Sequence, residues 1–295
     1  LQWSEVFALK TPEIPLMFHS KTILITGTSS GLGYYIAARL ASRGHKVYAA
    51  MRDTSRQNSL VSETRRRGGL SNLTVLAMDV TSRESVQQAV AAISADGNNL
   101  DVLVNNAGYS TKGFFEDLSD EDVRAQFDVN FFGVLNVTRE VLPLMRPRLR
   151  GLIINMSSMA ALYGKPASSA YVSSKWALEG FTESLALELM PLGIEVVLVE
   201  PGPYRTKILE NIHWARDFDN PASPYYRKSQ QYRLFLQSAA LRNRRDPEEI
   251  AAAVQRIIES RKPCFRTKIG LYSKLLAIAV RVFPFKLYAW RFYKR

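Results

Sequence analysis

Lys21-Thr-Ile-Leu-Ile-Thr-Gly27-Thr-Ser-Ser-Gly31-Leu-Gly33 is the stretch that decides how this chain is read. After Lys21 come five apolar or β-branched residues, the composition of a strand buried on both faces. Three glycines follow, and an amphipathic helix is predicted from about Tyr34 to Ser42. Glycines at such a turn let backbone N–H groups and the helix N-terminus approach a pyrophosphate. The spacing is Gly-xxx-Gly-x-Gly, not the more familiar Gly-x-Gly-xx-Gly. Alone it also fits an ordinary glycine-rich turn; its place between a strand and a helix favours the nucleotide reading.

The same alternation continues outward. A second strand, Lys46 to Ala50, runs into Met51-Arg52-Asp53. A free ribose 2′-hydroxyl is usually held by a carboxylate about 20 residues past the glycines, and a 2′-phosphate by a cation. Met51 leaves the strand end open, so Arg52 can clamp a phosphate, with Ser30 as a second ligand and Asp53 as a turn or capping residue. The cofactor expected is therefore NADP(H), ahead of NAD(H). A third strand, Leu73 to Met78, delivers Asp79-Val80 before a helix from about Ser82 to Ala95. Asp79 can accept from an adenine amino group or cap that helix. A fourth strand, Asp101 to Val104, ends in Asn105-Asn106-Ala107-Gly108, whose small and amide side chains admit a flat ring. Strands alternating with helices predict an α/β fold, a doubly wound and mostly parallel sheet of about seven strands with helices on both faces.

Residues 155 to 175 carry the chemistry. Gly151-Leu-Ile-Ile-Asn-Met156 has strand length, and Ser168 to Met190 has helical periodicity. Tyr171 and Lys175, four apart, share one helix face. A phenol of pKa roughly 10 is a poor acid or base at neutral pH, and an adjacent ammonium lowers that value. Ser158, at the strand's carboxyl end, is placed to hydrogen-bond a substrate oxygen. Asn155 either joins the site or braces the strand. A bare Tyr-xxx-Lys recurs on solvated helix faces; Ser158 and Asn155 ahead of it favour an alcohol/ketone proton-transfer site.

Composition excludes several classes. The 295 residues fit one large α/β domain, and 46% apolar content suffices for a buried core. A single cysteine, Cys264, precludes an intramolecular disulfide. His19, His45 and His213 lack metal-ligand spacing, so no metal is expected. The formal charge of +12 is uneven: from Arg261 onward there are ten basic residues and no acidic one. Residues 1 to 260 hold twenty-nine basic against twenty-seven acidic, a net of +2. A nucleic-acid partner needs a basic face on the folded body and is not expected.

Together these residues resemble the short-chain dehydrogenase/reductase family in its compact one-domain branch. The resemblance rests on Thr26-Gly27-xxx-Gly31-x-Gly33, Asn105-Asn106-Ala107-Gly108, Asn130, Ser158, Tyr171-xxx-Lys175 and Pro201-Gly202-xxx-Thr206. They run in family order over roughly residues 21 to 270. Val47 to Asp53 and the segment beyond Cys264 look most like the 17β-hydroxysteroid and retinol dehydrogenase group. The resemblance implies a Rossmann-type fold and reversible reduction of a carbonyl, with Tyr171 as general acid/base and Ser158 orienting the oxygen. Lys175 would lower the tyrosine pKa and hold the nicotinamide ribose, and Asn130, within a long helix from about Asp120 to Met145, would anchor a water. Gly27, Ser29, Ser30, Gly31, Leu32 and Gly33 would carry the cofactor with Arg52, Asp79 and Val80. Asn106, Ala107 and Gly108 would join Pro201, Gly202 and Thr206 around it. Tyr204 departs from the small aliphatic residue often found there.

Three segments lie outside that core. Residues 1 to 20 read as an N-terminal extension without signal-peptide character. Residues 207 to 243 read as a lid-like excursion, whose Ile208, Ile212, Trp214 and Phe218 suggest a greasy substrate; His213 there either bonds a distal substrate hydroxyl or is a surface residue. Residues 271 to 295 form a basic, aromatic tail with Leu271, Leu275, Ile278 and Val282 on one stripe. No apolar run of about 20 residues is present to span a bilayer, so the tail either lies in a membrane interface or packs on the body. A homo-oligomer is expected, cytoplasmic, with peripheral membrane contact through that tail. The rival readings are a reductase of long-chain acyl or other lipid ketones, and a sensor or scaffold that binds NADP without turnover.

Overall fold

Thr22–Thr26 forms the first strand, β1, and its successive side chains point into two different layers. Ile23 and Ile25 join one core, and Leu24 the other; all three are fully buried, each contributing on the order of 1.5–3 kcal/mol. The structure, a computed structural model, describes residues 20–97, 99–205, 211–242 and 245–287. After β1 come α1 (Gly31–Ser42), β2 (Lys46–Met51), α2 (Asn58–Arg66), β3 (Leu73–Ala77), α3 (Arg83–Ala95) and β4 (Val102–Asn105). A short β5 (Ser110–Lys112) precedes α4 (Asp120–Phe127), α5 (Gly133–Met145), β6 (Gly151–Met156), α6 (Ser169–Leu189) and β7 (Ile194–Pro201). Then follow β8 (Ile212–Trp214), α7 (Tyr226–Arg242), α8 (Glu248–Glu259), β9 (Arg266–Ile269) and α9 (Leu271–Val282).

Seven strands form one parallel sheet in the order β3-β2-β1-β4-β6-β7-β9. On one face pack α1, α2 and α8, represented by Ile36, Leu60 and Val254; on the other pack α3, α5 and α6, represented by Val90, Val141 and Leu185. The strand order reverses between β1 and β4, which opens a crevice at the carboxyl edge of the sheet. This is the doubly wound fold expected, with the strand number expected.

Three features were not foreseen. The edge strand β9 is polar in sequence, because Arg266 and Lys268 turn to Glu200 of β7, which has no exposed surface. β5 and β8 form a separate parallel pair beside the sheet. The single helix expected from Asp120 to Met145 is interrupted by a π-turn at Asp128–Phe132. Within it the Asn130 amide bonds the Tyr109 main chain, and such bulges favour functional sites. In α9, Leu275, Ile278 and Val282 of the expected stripe are 57%, 61% and 67% exposed. No described helix is long and apolar enough to cross a membrane.

Candidate active site

The glycine turn is shaped by close approach. Gly27 has φ of +70°, and a Cβ there would meet the Ala107 Cα at 2.6 Å. At Gly33 a Cβ would meet Asn106 Nδ2 and, at 2.5 Å, the Gly27 carbonyl oxygen. Gly31 has φ of +64° and faces open space. Asn106 Nδ2 donates to the carbonyls of Thr26 (2.8 Å) and Gly27 (3.0 Å), and Thr26 Oγ1 accepts from the N–H groups of Asn106 and Ala107. The end of β4 is thus stapled to the end of β1, and α1 begins at Gly31, earlier than the periodicity indicated. Ser30 leaves the first turn of α1 without a side-chain cap. An uncapped helix start beside an open backbone cradle fits a pyrophosphate.

A cleft of about 1100 Å³ follows this edge. Its walls take in Gly27, Ser29, Ser30, Gly31 and Leu32, then Arg52, Asp79 and Val80. Farther along come Asn106, Ala107 and Gly108, then Ser158, Tyr171 and Lys175, and finally Pro201, Gly202 and His213. Gly33 stands behind the wall as a packing glycine, and Thr206 lies outside the described residues, as do 207–210 of the excursion and 288–295 of the tail. Asp53 accepts from the Ser55 N–H and caps a short turn, as expected. The cap of α3 is Ser82 and not Asp79, because Asp79 is engaged with the N–H and hydroxyl of Thr81.

The reacting groups stand where β6 ends and α6 begins. Ser158 leaves β6 with extended backbone, and its Oγ accepts from the Ala160 N–H at 3.1 Å. Burial pushes the Tyr171 phenol above its usual pKa, and a hydrogen bond with Ser158 works in the opposite direction. Burial lowers Lys175 to about 8, opposed by the Glu179 carboxylate one turn on. Lys175, expected to act on the phenol, donates from its Nζ to the Met156 carbonyl at 2.8 Å, which leaves two of its three donors for the cleft. Beneath it, Ser157 Oγ donates to Glu179 Oε1 at 2.6 Å, and Arg266 bonds the other oxygen of Glu179.

Of the asparagines, Asn155 braces the sheet, accepting from Asn105 Nδ2 and donating to Thr182 Oγ1, both at 2.9 Å. Asn130 does not line the cleft; its side chain is bound to the Tyr109 main chain and to Ser174 Oγ. His213 lines the cleft, but its Nε2 lies 2.8 Å from Asp122 Oδ1, which also shapes the start of α4. Tyr204 turns into the core beneath the Arg245 guanidinium, 4.4 Å from its ring centre, which is how the wider residue fits. α7 closes one side of the cleft with Leu236, Ala239 and Ala240.

Sequence reasoning missed Arg56, Lys112 and Lys165, all cleft residues. Arg56 had a signal, lying one turn past Arg52. Lys112 and Lys165 had none, because β5 is brought beside the segment leading into α6 only by the contact of Gly113 with Ala167 and Ser168.

The chain matches the short chain dehydrogenase family model over residues 21–217. It belongs to the short-chain dehydrogenase/reductase family. Among its relatives in this family is a 3-ketodihydrosphingosine reductase of Bacteroides thetaiotaomicron, 38% identical over 86% of this chain and 89% of the relative. Retinol dehydrogenase 8 of Homo sapiens is 36% identical over 88% of this chain and 84% of its own. Two solved short-chain dehydrogenases align with it. One from Burkholderia phymatum, in complex with NAD, has TM-score 0.76 and 28% identity, covering 90% of this chain and 93% of that one. A metagenomic oxidoreductase in complex with NADP has TM-score 0.66 and 26% identity, covering 85% and 97%. This short-chain dehydrogenase/reductase is thus an oxidoreductase acting on CH–OH and C=O groups.

Proposed function

We propose that the enzyme interconverts a hydrophobic alcohol and its ketone or aldehyde, steroid- or retinoid-like in its greasiness, with NADP(H) as cofactor. The observation carrying this reading is the convergence of Ser158, Tyr171 and Lys175 on one cleft whose far end presents Arg52 and Arg56. A nicotinamide cofactor lying in the cleft supplies the hydride in reduction and takes it up in oxidation. Gly27 to Gly31 and the start of α1 would hold its pyrophosphate, and Arg52 with Arg56 its 2′-phosphate.

The chain's own residues handle the proton. Ser158 holds the substrate oxygen, and Tyr171 gives its phenolic proton to that oxygen in reduction or takes one from the alcohol in oxidation. Burial raises the phenol above its usual pKa, so at neutral pH Tyr171 carries the proton that reduction requires. Apolar surface from Ile212, Leu236, Ala239 and Ala240 supports an apolar substrate. A lipid ketone fits the same surface, and the exposed stripe of α9, flanked by basic residues, supports delivery from a membrane interface. The deciding experiment follows NADPH oxidation against steroid ketones, retinal and long-chain ketones, with NADH and Tyr171→Phe as controls. Turnover that requires Tyr171 and prefers NADPH is expected; turnover retained in Tyr171→Phe would overturn the assignment.

A further inference from the structure

Lys112 stands on β5 with 8% of its surface exposed, yet it lines the reaction cleft. Its Nζ donates to Ser168 Oγ at 2.8 Å and lies 5.2 Å from the centre of the Tyr171 ring. Ser168 in turn lies 3.3 Å from the Tyr232 hydroxyl of α7. An ammonium has three donors, so two of Lys112's remain for the cleft. Lys165, on the turn that leads into α6, lines the same cleft, its Nζ 5.4 Å from the Tyr163 ring centre.

Buried lysines are ordinarily paired with carboxylates. Here, among the described residues, no carboxylate acts on either: burial and then the charge of Lys165 hold Lys112 down to about 7, and burial lowers Lys165. Two cations that line one cavity with no carboxylate acting on them form an arrangement that an incoming anion stabilises. The cofactor's phosphates do not serve, since the cradle for them lies at the glycine turn and Arg52, whereas Lys112 is held by Ser168 and Tyr171. The reacting centre does lie within reach: with hydrogen bonds of about 2.8 Å at each end, an oxygen on Tyr171 and an oxyanion on Lys112 belong to one short stretch of a molecule.

We propose that Lys112 and Lys165 form an oxyanion subsite, and that the substrate carries a carboxylate or phosphate close to its reacting carbonyl or hydroxyl, with the apolar remainder along α7. This rests on the reading of Tyr171 as the proton donor and narrows the substrate from hydrophobic to amphiphilic and anionic. It also disfavours an amino ketone, whose cation would meet two others.

The test compares 3-oxododecanoate and 2-oxododecyl phosphate with the neutral methyl ester of the acid. Calorimetric binding to the NADPH-loaded protein and turnover are both measured. Either anion should bind more tightly than the ester, and the anion-over-ester ratio should fall about tenfold in Lys165→Met and in Lys112→Met, the loss of one charged hydrogen bond. Lys165→Arg should keep the ratio. Lys165 is partly exposed, so its variants report even if Lys112→Met does not fold. A wild-type ratio near one for both anions, or a ratio unchanged in Lys165→Met, would overturn the subsite. If instead turnover persists in Tyr171→Phe, the proton-donor assignment fails while the binding ratio still decides the subsite.

Discussion

Lys175 and Met156 are joined by a 2.8 Å hydrogen bond from the Nζ to the main-chain carbonyl, so this lysine of α6 is tied to the last residue of β6. This bond fixes the ammonium at the floor of the cleft, and Glu179 below it favours the charged form.

The first prediction concerns pH. For reduction by the free enzyme, kcat/KM should be level through neutrality and fall above about 8, where Lys175 loses its proton. Glu179 raises that pKa, so in Glu179→Gln the fall should move to lower pH. Tyr171, raised by burial, stays protonated across this range. Steady-state rates across the pH range check both curves.

Removing the phenol should leave the cleft intact. Tyr171→Phe is expected to lose about 10²–10⁴-fold in kcat, the usual worth of a positioned acid or base. Cofactor affinity, followed by fluorescence titration, should change little.

Arg52 and Arg56 both face the end of the cleft assigned to the 2′-phosphate. Arg52→Ala should reduce the NADPH-over-NADH ratio of kcat/KM by about tenfold, as loss of one charged hydrogen bond implies, and Arg56→Ala should add to it. An unchanged ratio in the double variant would remove both from phosphate recognition.

Gly33→Ala would drive a methyl group into Asn106 Nδ2 and the Gly27 carbonyl oxygen. Overpacking of this kind costs about 1–3 kcal/mol, and the turn carrying the cofactor would shift with it. A lowered melting temperature together with weakened cofactor binding is expected.

The stripe of α9 is tested at the surface. Leu275→Asp with Ile278→Asp should weaken sedimentation with anionic liposomes without lowering the melting temperature, because both side chains are exposed. A drop in melting temperature would mean that the stripe packs against protein.

The fold and most of the lining of the candidate site were legible because both are written in local patterns. Buried parallel strands such as Ile23-Leu24-Ile25 announce themselves as apolar runs, and Gly27, Gly31 and Gly33 mark a turn that other residues would block. Tyr171 and Lys175 are a helical repeat apart, so their proximity follows from spacing alone. What stayed hidden depends on distant partners. Arg266 and Lys268 look like solvated charges until Glu200 is placed beside them. Asn130 looks like a helix residue until Tyr109 claims its amide, and Lys112 looks like a surface lysine until Ser168 and the Tyr171 ring enclose it. The bond from Lys175 to the Met156 carbonyl was hidden for a related reason: spacing sets the face of a helix, and only the neighbouring strand supplies that acceptor.

The β5–β8 ladder has a further effect on traffic through the cleft. Besides its strand pairing, Ala215 N–H reaches the Lys112 carbonyl at 2.8 Å, and Gly113 N–H reaches that of Ala167 at 3.2 Å. Three pieces of chain remote in sequence are therefore riveted together by main-chain bonds just outside Tyr171. Parting them would break several such bonds at once, so that wall behaves as a fixed doorpost. On the side bordered by α7, side chains such as Leu236, Ala239 and Ala240 form the boundary in place of a backbone ladder, so fewer main-chain bonds oppose a displacement there.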